Sequence, residues 1–254
     1  MRSAIVRAWG TASGHAGDMR GRYAAHHDAA SARDALPPSK FDYRSLELSA
    51  DQIAAEAYKA QLGGGTAGWD RRGAFQLALL RHLGLSPQSS VLDVGCGPLR
   101  AGIHFLRFLA PGRYRGIDFN PSFVESAQQV MRQQGFAAQR ARVSVLTDFD
   151  LRGLHERFDF VLCFSVLNHC SVAERARFFE QVLHATRGAA LLVVTHAGWY
   201  ADARPPRGFS LARSIGSDAD LPPELALAQW SFDDVHGLPL PILIWRREDT
   251  GTPR

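Results

Sequence analysis

Three aspartates stand at comparable points of the chain, each following a short apolar run: Asp93 in VLDVGCG, Asp118 in YRGIDFN and Asp148 in SVLTDFD. A carboxylate at the end of a buried strand can meet a ligand lying along a sheet edge. After the first acid come Gly95 and Gly97, with Cys96 between them. Glycine reaches positive φ and has no Cβ, so a ligand can lie against such a loop. A dinucleotide fingerprint would require glycine where Arg100 stands; the next glycine is Gly102. Asp93 would also add negative charge close to a diphosphate. An acid there suits a cationic ligand, met directly or through backbone N–H groups that the acid holds.

Asp118 lies about 20 residues beyond the glycines, where a carboxylate meets ribose hydroxyls. Its competing role is to cap the next helix, but Asn120, just before Pro121, is better placed for that. Asp148 can accept from the exocyclic amine of a purine, while Phe149 supplies a backbone N–H and an apolar wall. Asp150 is the alternative acid; Asp148 is preferred because it directly ends the strand. Three acids after three successive strands, without a phosphate cradle, describe a nucleoside that carries positive charge.

Past a fourth apolar run, FDFVLCFSVLNHC brings Phe164, Asn168 and His169 to the same edge. An imidazole titrating near 6.5 suits a base that takes a proton from a hydroxyl or amine. Packing against the ligand is an equal alternative for His169. Asn168 can orient an acceptor, and Ser171 opens SVAE with the spacing of a capping box. Arg100 either meets a ligand carboxylate or is solvated. Trp69 either covers the ligand or fills the core. Trp199 and Tyr200 could line an acceptor pocket, with His196 as a second candidate base. Cys96 reads as a small packing residue.

These residues need elements to carry them. Residues 1–40 are Ala, Gly, Ser, Arg and His with few large aliphatics, and are expected to be disordered. Helical spacing over 46–62, stopped by the glycines at 63–65, predicts one helix. Phe75, Leu79, Leu80 and Leu83 predict the apolar face of a second, so 41–86 reads as a helical lid or buttress. From position 87 strands alternate with helices, which predicts a parallel sheet covered on both faces. PLRAGIHFLRFL reads as a helix with Leu99, Ile103 and Leu106 on one face. Residues 198–224 show no clear period and read as a substrate insertion. LPLPILIWRR reads as a late strand at the antiparallel end of the sheet.

VLDVGCG, GIDFN, TDFD and FDFVLCFSVLNH, in this order and spacing, resemble the motifs of class I S-adenosyl-L-methionine (SAM)-dependent methyltransferases. WDRRGAFQLALLRHLGL with GCGPLRAG and PGRYRGID is also similar to a bacterial subgroup with a GCG-x-LR-x-G loop. The resemblance covers roughly the middle two-fifths of the chain. It implies an α/β, Rossmann-like, doubly wound and mostly parallel seven-stranded sheet with an N-terminal helical extension, residues 87–254 forming the SAM-binding domain. It places Gly95 and Gly97 against the methionine part, Asp118 on the ribose, and Asp148 with Phe149 around adenine. Cys96, Phe119 and Phe164 join that cofactor set from within the same motifs. The implied reaction is methyl transfer to an oxygen or nitrogen of a small-molecule or sugar-containing acceptor. The competing functions are a NAD-dependent oxidoreductase and a non-catalytic SAM-binding protein.

Composition narrows the partners. Net charge is +4, but the arginines are interleaved with acids rather than clustered as on a nucleic-acid binder. No D/N-P-P-Y type sequence marks the clamp for a flipped base, so nucleic acid is not expected. No apolar run approaches the roughly 18 residues of a membrane span. Cys96, Cys163 and Cys170 form no CxxC pair, which predicts neither disulfides nor a metal site and suits a cytoplasmic location.

Overall fold

The computed structural model describes residues 43, 46–63, 66–195, 206–226 and 241–248. Residues 1–40, together with His196, Trp199 and Tyr200, lie outside them. Seven strands form one sheet: β1 (Val91–Val94), β2 (Tyr114–Asp118), β3 (Arg142–Val145), β4 (Phe158–Cys163), β5 (Thr186–Thr195), β6 (Phe209–Ile215) and β7 (Ile242–Arg247). Their spatial order is β3-β2-β1-β4-β5-β7-β6. The first five strands run parallel, while β7 pairs antiparallel with both β5 and β6. This is the Rossmann-like, mostly parallel arrangement expected from the alternation of elements. The order reverses between β1 and β4, and the crevice beyond the carboxyl ends of such strands is where ligands bind.

The helices are α1 (Ala50–Ala54), α2 (Tyr58–Gly63), α3 (Thr66–His82), α4 (Gly102–Phe108), α5 (Pro121–Gln133), α6 (Val172–Gln181) and α7 (Pro223–Ala226). Alternate strand residues feed two cores, as a sheet buried on both faces requires. Val91, Phe160, Leu162 and Val193 pack with Trp69, Phe75 and Leu80 of α3, Phe105 of α4 and Phe123 of α5. Leu92, Val94, Val161 and Val194 face the other way, onto Phe178 of α6 and Val182. At the bottom of β4, Asp159 accepts from both the backbone N–H and the hydroxyl of Ser90, each at 2.8 Å.

Three elements depart from the periodic reading. The helix expected over 46–62 is two short helices, parted where Glu56 takes φ 53°. A left-handed non-glycine residue interrupts the i→i−4 ladder. Leu99 is fully buried but sits in a turn at φ 66°, so α4 starts only at Gly102. Inside the aperiodic stretch 198–224 runs the strand β6, whose register against β7 shifts between Leu211 and Arg213. That bulge breaks the period of two by which a strand is recognised.

Candidate active site

β1 ends in Asp93 and Val94, and the chain then turns through Gly95 (φ 73°) and Gly97 (φ 51°). Both need the left-handed region, which glycine enters without a Cβ penalty. A Cβ on Gly95 would also approach Val166 Cγ2 to 2.2 Å, whereas one on Gly97 would meet nothing within 4 Å. The loop is therefore packed on one side and open on the other. The Ile117 carbonyl accepts from the N–H groups of Gly95 and Cys96 at 2.8 and 3.1 Å. Asp118, at the end of β2, accepts from Gly97 N–H at 2.9 Å through Oδ2 and from Asn120 N–H at 2.9 Å through Oδ1.

Of the two roles open to Asp93, holding the loop amides falls to Asp118. Asp93 instead accepts from the Tyr114 hydroxyl at 2.9 Å. Burial pushes the Asp93 carboxyl up to about 7, partly offset by that hydroxyl and by Arg100, while Asp118 adds to the rise. Burial also raises Asp118, against the opposing pull of the backbone N–H groups of Asn120, Gly97 and Phe119. Desolvation and neighbouring Arg72 pull Arg100 down to about 10, while Asp93 and Tyr43 act the other way. The Arg100 guanidinium lies 5.7 Å from the ring centroid of Trp69, within cation–π range.

These groups surround a cavity of about 130 Å³ that opens to solvent. Of the expected residues, Trp69, Asp93, Gly95, Cys96, Gly97, Arg100, Asp118, Phe119, Phe164 and His169 line it. Trp69 is buried in the core and also lines the cavity. His169 sits on a 3-10 turn, Leu167–His169, with its backbone N–H on the Val166 carbonyl at 2.9 Å. Arg175, from α6, holds that turn by donating to the carbonyls of Leu167 and Cys170. The His169 ring meets Tyr43 edge-on at 4.7 Å and lies 3.2 Å from Asn168 Nδ2 through Nε2. Asn168 itself is half-buried beside the cavity lining. Burial holds the Cys96 thiol well above its ordinary range, in keeping with a packing role.

Asp148 and Phe149 stand off the cavity. β3 stops at Val145, so Asp148 does not directly end the strand, and that ground for preferring it over Asp150 is lost. Asp148 accepts from Asp150 N–H at 3.0 Å and pairs with Arg177 at 3.4 Å on the surface. Phe149 packs edge-on against Phe178 at 5.5 Å.

Sequence reading missed Tyr43, Leu62, Gln76, Phe123 and Val166, which also line the cavity, as do Pro98, Ala101 and Ser165 of the motif loops. Gln76 carried a usable signal, since it falls on the helical face shared with Leu80 and Leu83 yet is polar. It is 2% exposed, and its Nε2 has no partner within the described residues. Tyr43 arrives by tertiary contact, because Asn120 Nδ2 donates to the carbonyls of Tyr43 and Leu46 at 2.6 and 2.9 Å. A pinned glycine loop open on one side, two strand-end acids, a half-buried guanidinium and an orphaned amide donor fit a zwitterionic nucleoside with an amino-acid tail.

A family model described as "Methyltransferase domain" matches residues 91–188, from β1 into β5. No curated protein sequence matches the chain. Among solved structures, a magnesium protoporphyrin IX methyltransferase from Synechocystis PCC 6803 with bound SAM is similar. Identity is 20%, coverage 87% of this chain and 97% of that one, and the TM-score 0.54. A putative sarcosine dimethylglycine methyltransferase from Galdieria sulphuraria aligns at 15% identity over 71% of this chain and 85% of its own, TM-score 0.52. Among the described residues, no helix is long and apolar enough to cross a membrane, and no cluster of three or more His, Cys, Asp or Glu could hold a metal.

Proposed function

We propose that this chain, a SAM-dependent methyltransferase, transfers its methyl group to an oxygen or nitrogen of a small-molecule or sugar-containing acceptor. The observation that carries the reading is the cavity that Asp93, Asp118, Arg100 and His169 line together. Bound SAM supplies an electrophilic methyl on a sulfonium, and transfer is an in-line displacement that needs alignment and exclusion of water.

The chain's residues divide that work by their chemistry. Asp118 takes the ribose hydroxyls, since its carboxylate oxygens keep lone pairs beyond those used by Gly97 and Asn120. Asp93 faces the ammonium of the methionine part; Arg100 and Gln76 face its carboxylate. The rings of Phe119 and Phe164 give the purine an apolar wall. Asp148 and Phe149 are left out of this set because they stand off the cavity. His169 is the group that could take a proton from the acceptor, with its ring oriented by Tyr43 and Asn168. The aromatic and aliphatic side chains in the lining, Leu62, Phe123 and Val166 among them, favour a small acceptor over an extended polymer.

Calorimetric titration with SAM, S-adenosylhomocysteine and NAD tests the donor. Binding of the first two is expected, and binding of NAD alone would overturn the reading. Asp118→Ala should weaken SAM by about 2 kcal/mol through lost charge-assisted hydrogen bonds; unchanged affinity would remove the ribose assignment. The acceptor is found by screening lysate metabolites for transfer of labelled methyl. With that acceptor, His169→Ala should keep SAM affinity and lose turnover by about 10²-fold or more, and retained turnover would end its role as base.

A further inference from the structure

Tyr114 opens β2 at the strand's amino-terminal end and does not line the cavity, yet its hydroxyl is aimed at Asp93. The slot that holds the phenol is kept clear by two glycines. A Cβ on Gly102 would come within 2.4 Å of the Tyr114 hydroxyl oxygen, and one on Gly116 within 3.2 Å. Gly102 is the third glycine of GCGPLRAG, two residues past the fingerprint position held by Arg100, and it has a packing reason of its own. Tyr114 is 4% exposed and stacks on Phe105 with centroids 6.1 Å apart, which fixes the ring. A buried hydroxyl, a buried carboxylate and a cleared slot together form a built contact directly behind the cavity wall.

We propose that Tyr114 is a positioning residue for the cofactor's amino group: its hydroxyl holds one oxygen of Asp93, so that the carboxylate presents its remaining lone pairs to the cavity as an anion. The proposal rests on the reading that the methionine part of SAM lies against Asp93. The charged and titratable groups around Asp93 come from three elements. Tyr114 and Asp118 belong to β2, Arg100 and Cys96 to the loop, and Cys163 to β4. Burial keeps both thiols neutral, well above their ordinary range. Asp118 opposes ionisation of Asp93, and Arg100 favours it. Tyr114 is the group that favours it through a direct hydrogen bond. With burial already pushing Asp93 up to about 7, the loss of that bond moves the carboxyl across the neutral range.

The test is SAM affinity of the wild-type protein, Tyr114→Phe and Asp93→Asn, measured by calorimetry between about pH 5.5 and about pH 8.5. Wild-type affinity should rise with pH along an acid limb centred near 7. In Tyr114→Phe that limb should move up by about one pH unit, so affinity near pH 6.5 drops about tenfold while the two proteins converge at the alkaline end. Asp93→Asn should lose the limb. A parallel loss at every pH in Tyr114→Phe, or an unmoved limb, would overturn the proposal and leave the cofactor reading standing. Absence of SAM binding by the wild-type protein, or a limb that survives in Asp93→Asn, would overturn the cofactor reading and this inference with it. A second readout needs no cofactor: the ¹³C carboxyl resonance that disappears in Asp93→Asn should titrate at higher pH in Tyr114→Phe. An unchanged midpoint there would remove the role of the hydroxyl.

Discussion

Asp93 shows how one residue can set protein stability against ligand binding. Its folded-state carboxyl is raised to about 7 from an ordinary 3.8, chiefly by burial. A raised acid contributes stability that is complete below the unfolded value and is lost as pH rises through the folded one. The ligand-free protein should therefore lose a few kcal/mol between about pH 4 and pH 8, because each pH unit separating the folded from the unfolded value is worth roughly 1.4 kcal/mol. Asp93→Asn should melt higher than wild type at pH 8 and lose that advantage near pH 5, measured by calorimetric melting without ligand. The reverse order would show that the buried anion is not strained. At this scale the sequence was informative where a residue's role follows from its own strand. Asp93, Asp118 and His169 come to one cavity because each ends or follows a parallel strand at the same sheet edge. Asp148 shares that pattern and stands elsewhere, because β3 ends earlier and the following turn aims its carboxylate at Arg177. Tyr43 and Gln76 come from upstream segments, and only packing brings them in.

Among the elements, α5 is tied to its surroundings at its N-cap, Asn120. Asn120 caps it by accepting from Ser122 and Phe123 N–H groups at 2.8 and 3.4 Å. The same side chain donates to two carbonyls of the N-terminal segment, and its backbone N–H is held by Asp118. Asn120→Ala loses both functions and should destabilise the protein by about 2 kcal/mol or more, since a lost cap alone costs about 1. Asn120→Ser keeps a capping oxygen but cannot reach Tyr43 and Leu46. It should recover part of the melting temperature while SAM still dissociates several-fold faster, read by stopped-flow; equal dissociation in Ser and wild type would show that the segment does not retain the ligand. Asn120 was recognisable in advance as a cap because local chemistry decides capping. Its second role depends on a contact 77 residues away along the chain. β6 was hidden for a different reason, because its bulge shifts register and its exposed Leu211 obscures the apolar-in, polar-out pattern.

For the whole molecule, the strand–helix alternation from position 87 was enough to predict a doubly wound sheet, since each parallel crossover needs a covering helix and a fixed hand. The same architecture ties ligand binding to global stability, because the cavity wall is assembled from β1, β2, the turn after β4, α3 and Tyr43. SAM at about 100 times its dissociation constant should add about 2.7 kcal/mol, which corresponds to a rise of roughly 5–10 °C in a domain of this size. A rise below about 1 °C at that occupancy would show that the ligand binds without engaging these elements. All three cysteines are buried, and Cys96 and Cys163 hold their protons firmly. Alkylation by a thiol reagent therefore waits for the structure to open, so labelling rates act as clocks at fixed places in the chain. Cys96, inside the glycine loop, times the breathing of the cofactor wall, and Cys163, in the sheet centre, times wholesale unfolding. SAM should slow the first clock by about tenfold or more, and comparing it with the second separates local opening from loss of the fold without any added chromophore.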